Sequence, residues 1–210
     1  MASPAPGLSV LQPTRGYRFG VEVYALAHFA LGLPARRAID LGAGSGIVGL
    51  LLAHAGLDVE AVERDRAWTA LARVNARLSR RELPVHHLAV RRGTVPSLKR
   101  ADVVVTNPPW FFPAEGPVSP DRHKATARTM SIATVADFVD TGLQLAPRVC
   151  VVTRVEREPM LSRPGTHVAR RARLGSKLIL AEVRAGEGTR ADEVLDLDAA
   201  YRRFSRERVV

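Results

Sequence analysis

The chain has 210 residues, 46% of them hydrophobic and 25% charged, with 31 Lys and Arg against 21 Asp and Glu for a formal net charge of +10. That length accommodates one core-forming domain, and that balance is ordinary for a globular protein and too polar for a membrane protein. One cysteine, Cys150, excludes an intramolecular disulfide, and six histidines without ligand spacing leave no metal to expect.

In chain order, the Pro-, Ala-, Gly- and Ser-rich start reads as a flexible arm over 1–15, ahead of a single domain over 16–210. Its opening, MASPAPGLSV, has neither the basic nor the long apolar region of a signal peptide, and no later apolar run approaches the roughly 20 residues of a membrane span. The expected setting is therefore cytoplasmic, with no membrane partner. Val21, Tyr24, Ala25, His28, Phe29 and Leu33 recur at helical spacing until Pro34 stops them. Apolar strands then follow over 37–41, 58–62, 85–90, 102–106 and 148–153, alternating with helices over 46–55, 66–79 and 132–145. Beyond Pro159, β-rich stretches over 166–171 and 177–184 meet at a turn with Gly175, too close together for anything but an antiparallel pair. The fold class is α/β and Rossmann-like: a mainly parallel seven-stranded sheet with a terminal antiparallel strand and helices on both faces.

The first strand runs through Asp40 into Gly42-Ala43-Gly44-Ser45-Gly46 and then directly into an apolar helix. Glycines allow a tight turn and close approach of a ligand to the backbone, and a helix N-terminus offers N–H groups to an anion. Glu63 ends the second strand, where such folds bind ribose hydroxyls. By spelling, Gly44-Ser45-Gly46-Ile47-Val48-Gly49 also satisfies a dinucleotide fingerprint, so an NAD-dependent oxidoreductase is a formal competitor.

At the end of the fourth strand stands Asn107-Pro108-Pro109-Trp110. Ligands of open α/β sheets bind beyond the carboxyl ends of the strands. The prolines fix the backbone and leave carbonyls free to accept, so the Asn107 side-chain oxygen and the Pro108 carbonyl can hold both N–H bonds of an exocyclic amine. Trp110 offers a stacking face worth about 1–3 kcal/mol per base. Asn-Pro-Pro is also a plausible turn after a strand, which is the structural alternative.

These two motifs resemble those of the class I S-adenosylmethionine-dependent amino-methyltransferases with an Asn-Pro-Pro-aromatic motif. Within that group the chain resembles the bacterial tRNA adenine-N6 methyltransferases that modify the adenosine beside the anticodon of valine tRNA. Gln12, Gly16-Tyr17-Arg18-Phe19, Glu22, Ala127-Arg128, the Leu178-Ile179-Leu180-Ala181 strand and the Tyr201 region extend the likeness over nearly the whole chain. The resemblance implies S-adenosylmethionine as cofactor, held by Asp40 near its methionine end, by Gly42, Ala43, Gly44 and Gly46 along its amino-acid portion, by Glu63 at the ribose and by Asn107. It makes Asn107, Pro108, Pro109 and Trp110 the catalytic set. The chain departs from these relatives at the third strand, which ends in Leu88-Ala89-Val90-Arg91-Arg92 where they often carry an acid for the cofactor adenine, and in having Trp110 where Tyr or Phe is usual.

The charge surplus favours a polyanionic partner, with tRNA the expected substrate, although 28 of the basic residues are arginine and only Lys99, Lys124 and Lys177 are lysine, a bias that codon composition also produces. The long segment after Trp110 reads as a substrate-binding lid in which Arg122, Lys124 and Arg128 meet phosphates. Arg80-Arg81 and Arg170-Arg171 read as solvated faces, and His86-His87 and Cys150 as packing. Three rivals share parts of the pattern: a protein glutamine methyltransferase, which usually adds an N-terminal helical domain; a small-molecule N-methyltransferase, which needs no positive surface; and a non-catalytic RNA-binding module, which needs no glycine loop.

Overall fold

The computed structural model describes residues 2–14, 18–90, 98–108 and 134–205. The elements are α1 (Val21–Ala30), β1 (Arg37–Leu41), α2 (Ile47–His54), β2 (Asp58–Glu63), α3 (Arg66–Leu78), β3 (Val85–His87) and β4 (Val103–Thr106). After these come α4 (Val135–Leu145), β5 (Val149–Arg154), a 3-10 turn over Val155–Met160, β6 (Thr166–Leu174), β7 (Leu178–Ala185), β8 (Ala191–Glu193) and α5 (Leu197–Ser205). The strands form one sheet in the order β3-β2-β1-β4-β5-β7-β6-β8.

From β3 to β5 every neighbour is parallel, whereas β7 runs antiparallel to both β5 and β6. This is the expected Rossmann-like sheet with its antiparallel strand, which lies inside the order between β5 and β6. One strand exceeds the expected seven: β8 adds to β6 in parallel through Ala191, Asp192 and Glu193. Its residues are exposed and carry no apolar alternation, so nothing in the local sequence announces a strand. Arg170 and Arg171 of β6 grip Glu193 and Asp192 and hold it there.

Alternation along each strand distributes the core. Val103, Val105, Cys150, Val152 and Leu180 pack with α1 and α2, while Val104, Val149, Val151, Ile179 and Ala181 pack with α4 on the opposite side. α2 is apolar nearly all round and correspondingly sunk, with Ile47, Val48, Leu50, Leu51 and Leu52 all buried. α3 is amphipathic and starts where the Asp65 carboxylate accepts from the Ala67 and Trp68 N–H groups. α4 starts at Val135, three residues later than its periodicity suggests, because Thr134 and Asp137 form a reciprocal capping box.

Two expectations are corrected. Residues 2–12 are no detached arm: Ala2 bridges Val10, and Ala5, Leu8 and Val10 are buried. Composition suggested too little apolar surface, but these three side chains enter the main core. Arg170 and Arg171 are not solvated either, since their side chains are only 18% and 17% exposed and each pairs with two carboxylates.

Candidate functional site

The register brings the carboxyl ends of β2, β1 and β4 level, with Asp40 opposite both Ala61 and Val105 and Leu41 opposite Val62. Gly42 and Ala43 then donate their N–H groups to the Val62 carbonyl at 2.8 and 3.0 Å, folding the chain over the end of β2. The Thr106 hydroxyl donates to the Leu41 carbonyl at 2.7 Å and ties β4 to the same corner.

Gly42, Gly44 and Gly46 have φ angles of +79°, +54° and +80°, a region that L side chains rarely adopt. Their surroundings separate their roles. A Cβ on Gly42 would stand 2.9 Å from Phe138 Cε1, and one on Gly46 would stand 3.1 Å from the Ala72 Cβ, so both must be small for α4 and α3 to pack closely. A Cβ on Gly44 would meet nothing within 4 Å among the described residues. Among the described residues the middle of the loop therefore keeps an open face that could take a ligand against the backbone.

Both acids of the pattern converge on this loop. Asp40, 2% exposed, accepts the Gly49 N–H at 2.8 Å and so anchors the first turn of α2 under the glycines. Burial pushes its carboxyl up to about 7 against the opposing pull of the Gly49 hydrogen bond, with the nearby Glu63 charge raising it further. Glu63 accepts the Gly44 N–H through Oε2 and the Asp65 N–H through Oε1, each at 2.8 Å. Its two oxygens are thereby fixed while lone pairs remain for hydroxyl donors.

α3 frames the site from the side. Its N-terminus supplies Asp65, and the Thr69 hydroxyl donates to the Glu63 and Asp65 carbonyls at 3.2 and 2.8 Å. Farther along, Ala72 abuts Gly46 and the Asn75 amide donates to the Ser45 carbonyl at 3.0 Å. Sequence reasoning missed Thr69 and Asn75. The available signal was that both are polar residues on the buried stripe of an amphipathic helix, with Ala72 and Ala76.

Asn107 follows β4 directly and is half-buried, and Pro108 is buried. The structure thus brings Asp40, Gly42, Ala43, Gly44, Gly46, Glu63, Asn107 and Pro108 to one corner of the sheet. Pro109, Trp110, Arg122, Lys124 and Arg128 lie outside the described residues. At the third strand, where an adenine-binding acid was missing, β3 ends early: the Leu88 N–H donates to the Glu63 carbonyl at 3.0 Å and its side chain is 40% exposed. Among the described residues no group of three or more His, Cys, Asp or Glu could hold a metal, and no helix is long and apolar enough to cross a membrane.

Residues 25–118 match the family model of the methyltransferase small domain, MTS. The chain is 31% identical over 117 residues to a tRNA1(Val) (adenine(37)-N6)-methyltransferase of Trichodesmium erythraeum, a match covering 53% of this chain and 48% of that protein. It is 30% identical over 118 residues to the protein of the same description from Serratia proteamaculans, covering 51% and 44%. The chain thus spans about half the length of the curated relatives it matches. The crystal structure of TrmN from Thermus thermophilus superposes with a TM-score of 0.52 at 22% identity, over 78% of this chain and 48% of that one. The fold is that of the class I methyltransferases, and the resemblance carried by the glycine loop and the Asn107 motif is borne out.

Proposed function

We propose that the chain is an S-adenosylmethionine-dependent N-methyltransferase acting on an exocyclic amino group, with N6 of adenine in tRNA as its substrate. The observation that carries this reading is the convergence of the glycine loop, Glu63 and Asn107-Pro108 at the carboxyl ends of three adjacent strands. The residues fit the cofactor. Among the described residues Gly44 leaves open space against the backbone, and Glu63, its oxygens oriented by two N–H groups, can accept from the two ribose hydroxyls. Asp40 underpins the loop through α2. When bound, the cofactor supplies a methyl group activated by a sulfonium.

Asn107 and the Pro108 carbonyl then do the positioning. Accepting from both N–H bonds of the amine turns its lone pair towards the methyl-bearing corner and stabilises the positive charge that develops on nitrogen. Trp110 stacks on the ring, and Arg122, Lys124 and Arg128 contact phosphates. The tRNA assignment draws on the +10 charge and on the activity for which the two relatives are named.

The decisive experiment incubates the protein with labelled S-adenosylmethionine and separate pools of tRNA, rRNA and protein, followed by nucleoside mass spectrometry. N6-methyladenosine in tRNA is expected. Label confined to another RNA base, to glutamine or to small molecules would reassign the substrate, and binding of NAD in place of S-adenosylhomocysteine would overturn the reading altogether. Asn107→Ala should weaken S-adenosylhomocysteine binding far less than it slows turnover, which should fall about 10²–10³-fold. Equal turnover would remove Asn107 from the chemistry.

A further inference from the structure

Asn75 is fully buried in α3, and the chemistry above does not use it. Besides the Ser45 carbonyl, its Nδ2 donates to the Leu11 carbonyl at 3.1 Å, and its Oδ1 accepts the Leu11 N–H at 2.7 Å. These partners settle which way the amide faces, because one N–H and two carbonyls can be matched in only one orientation. Four residues on, the Ser79 hydroxyl accepts the Ser9 N–H at 3.2 Å and donates to the Ser9 carbonyl at 3.0 Å. The backbone of Ser9 and Leu11 is therefore paired by side chains of α3 and of its C-cap Ser79 in the way a neighbouring strand would pair it. Among these anchors, Asn75 reaches the glycine loop as well.

We infer that Asn75 is a positioning residue that joins residues 9–11 and the glycine loop into one unit, so that the docking of the N-terminal segment sets the loop's affinity for the cofactor. The inference rests on the cofactor reading above. Its physical basis is the loop's permissiveness: three glycines at positive φ do not define their own conformation, so outside contacts must select it. At the loop's centre two side chains do so, Glu63 from one side at the Gly44 N–H and Asn75 from the other at the Ser45 carbonyl. Ser45 is itself buried, so losing Asn75 would take from its carbonyl the side-chain donor that holds it and favour a shifted loop. Because binding linkage is reciprocal, a ligand on the loop must in turn hold Leu11 in place.

The test titrates S-adenosylhomocysteine into the full chain and follows hydrogen exchange at the Ser9 and Leu11 amides with and without it. Asn75→Ala should weaken binding about 10-fold or more. Ser79→Ala, whose hydroxyl reaches residue 9 and not the loop, should still weaken it about 5-fold, the lower end of ordinary coupling between sites. In the unaltered chain the ligand should slow Leu11 exchange by a similar factor. Unchanged affinity of Ser79→Ala together with unchanged Leu11 exchange would overturn the coupling while the cofactor reading stands. No binding by the unaltered chain would overturn both. Should Asn75→Ala not fold, the Ser79→Ala and exchange measurements decide the matter between them.

Discussion

Two of the regions in which the protein buries carboxylates hold them by different means. At the carboxyl end of the sheet Asp40 and Glu63 are held by backbone N–H groups of Gly49, Gly44 and Asp65. In the antiparallel part of the sheet, Glu182 of β7, with no exposed surface, is held by the guanidinium groups of Arg170 and Arg184. Arg170 also binds Glu193 and lies 4.4 Å over the Phe29 ring. The Glu193 carboxylate pressed against Arg170 raises that guanidinium above the usual arginine range. Arg171 and Arg190 continue the network to Glu158 and Asp192. A carboxylate paired with arginine has its charge satisfied within the protein, which suits a part of the sheet that must stay closed. One held by N–H dipoles keeps free lone pairs, which suits a site that must receive donors from a ligand.

The contrast can be broken most forcefully in the antiparallel part. Arg170→Ala leaves Glu182 buried beside the more exposed Arg184 and should cost about 3–5 kcal/mol in urea unfolding, the range for breaking a buried pair by removing one partner. A loss below about 1 kcal/mol, typical of surface pairs, would show that this part is not an internally neutralised unit.

Next in size is the pH dependence of Asp40. Its carboxyl ionises near 3.8 when unfolded and near 7 when folded, so between those values the folded chain binds the extra proton. The stability this confers is complete below pH 3.8, declines through the interval and is gone above about 7. Asp40→Asn cannot ionise, and its side-chain oxygen still accepts from Gly49. Relative to the unaltered chain it should therefore gain about 2–4 kcal/mol between pH 4 and pH 8. Parallel stability profiles for the two proteins would mean that the backbone contact alone compensates the buried charge.

The smallest effect sharpens the comparison at Glu63. Glu63→Gln can satisfy one of the Gly44 and Asp65 N–H groups but turns a donor towards the other. The resulting unpaired group should cost about 1–3 kcal/mol, read as a weakening of S-adenosylhomocysteine binding by about 5–150-fold in calorimetry. Unchanged affinity would separate Glu63 from the ligand and leave it as a clamp on the loop.

Some of this was decided by local sequence alone. Short, nearly continuous apolar runs place β1 to β5 within a few residues, because a parallel sheet is buried on both faces. The glycine loop and the Asn107 motif were legible for a similar reason: unusual backbone geometry restricts the residue types that can adopt it. Other features needed the third dimension. Nothing near Ala191–Glu193 specifies a strand, since its partners Arg170 and Arg171 lie about twenty residues earlier and only the folded β6 presents them. Asn75 looks like an ordinary helix residue until Leu11, 64 positions away, and Ser45, 30 positions away, arrive at its amide. A hydrogen bond has a range of about 3 Å, so a side chain's role in holding distant segments together is set by which segments the fold brings within that reach.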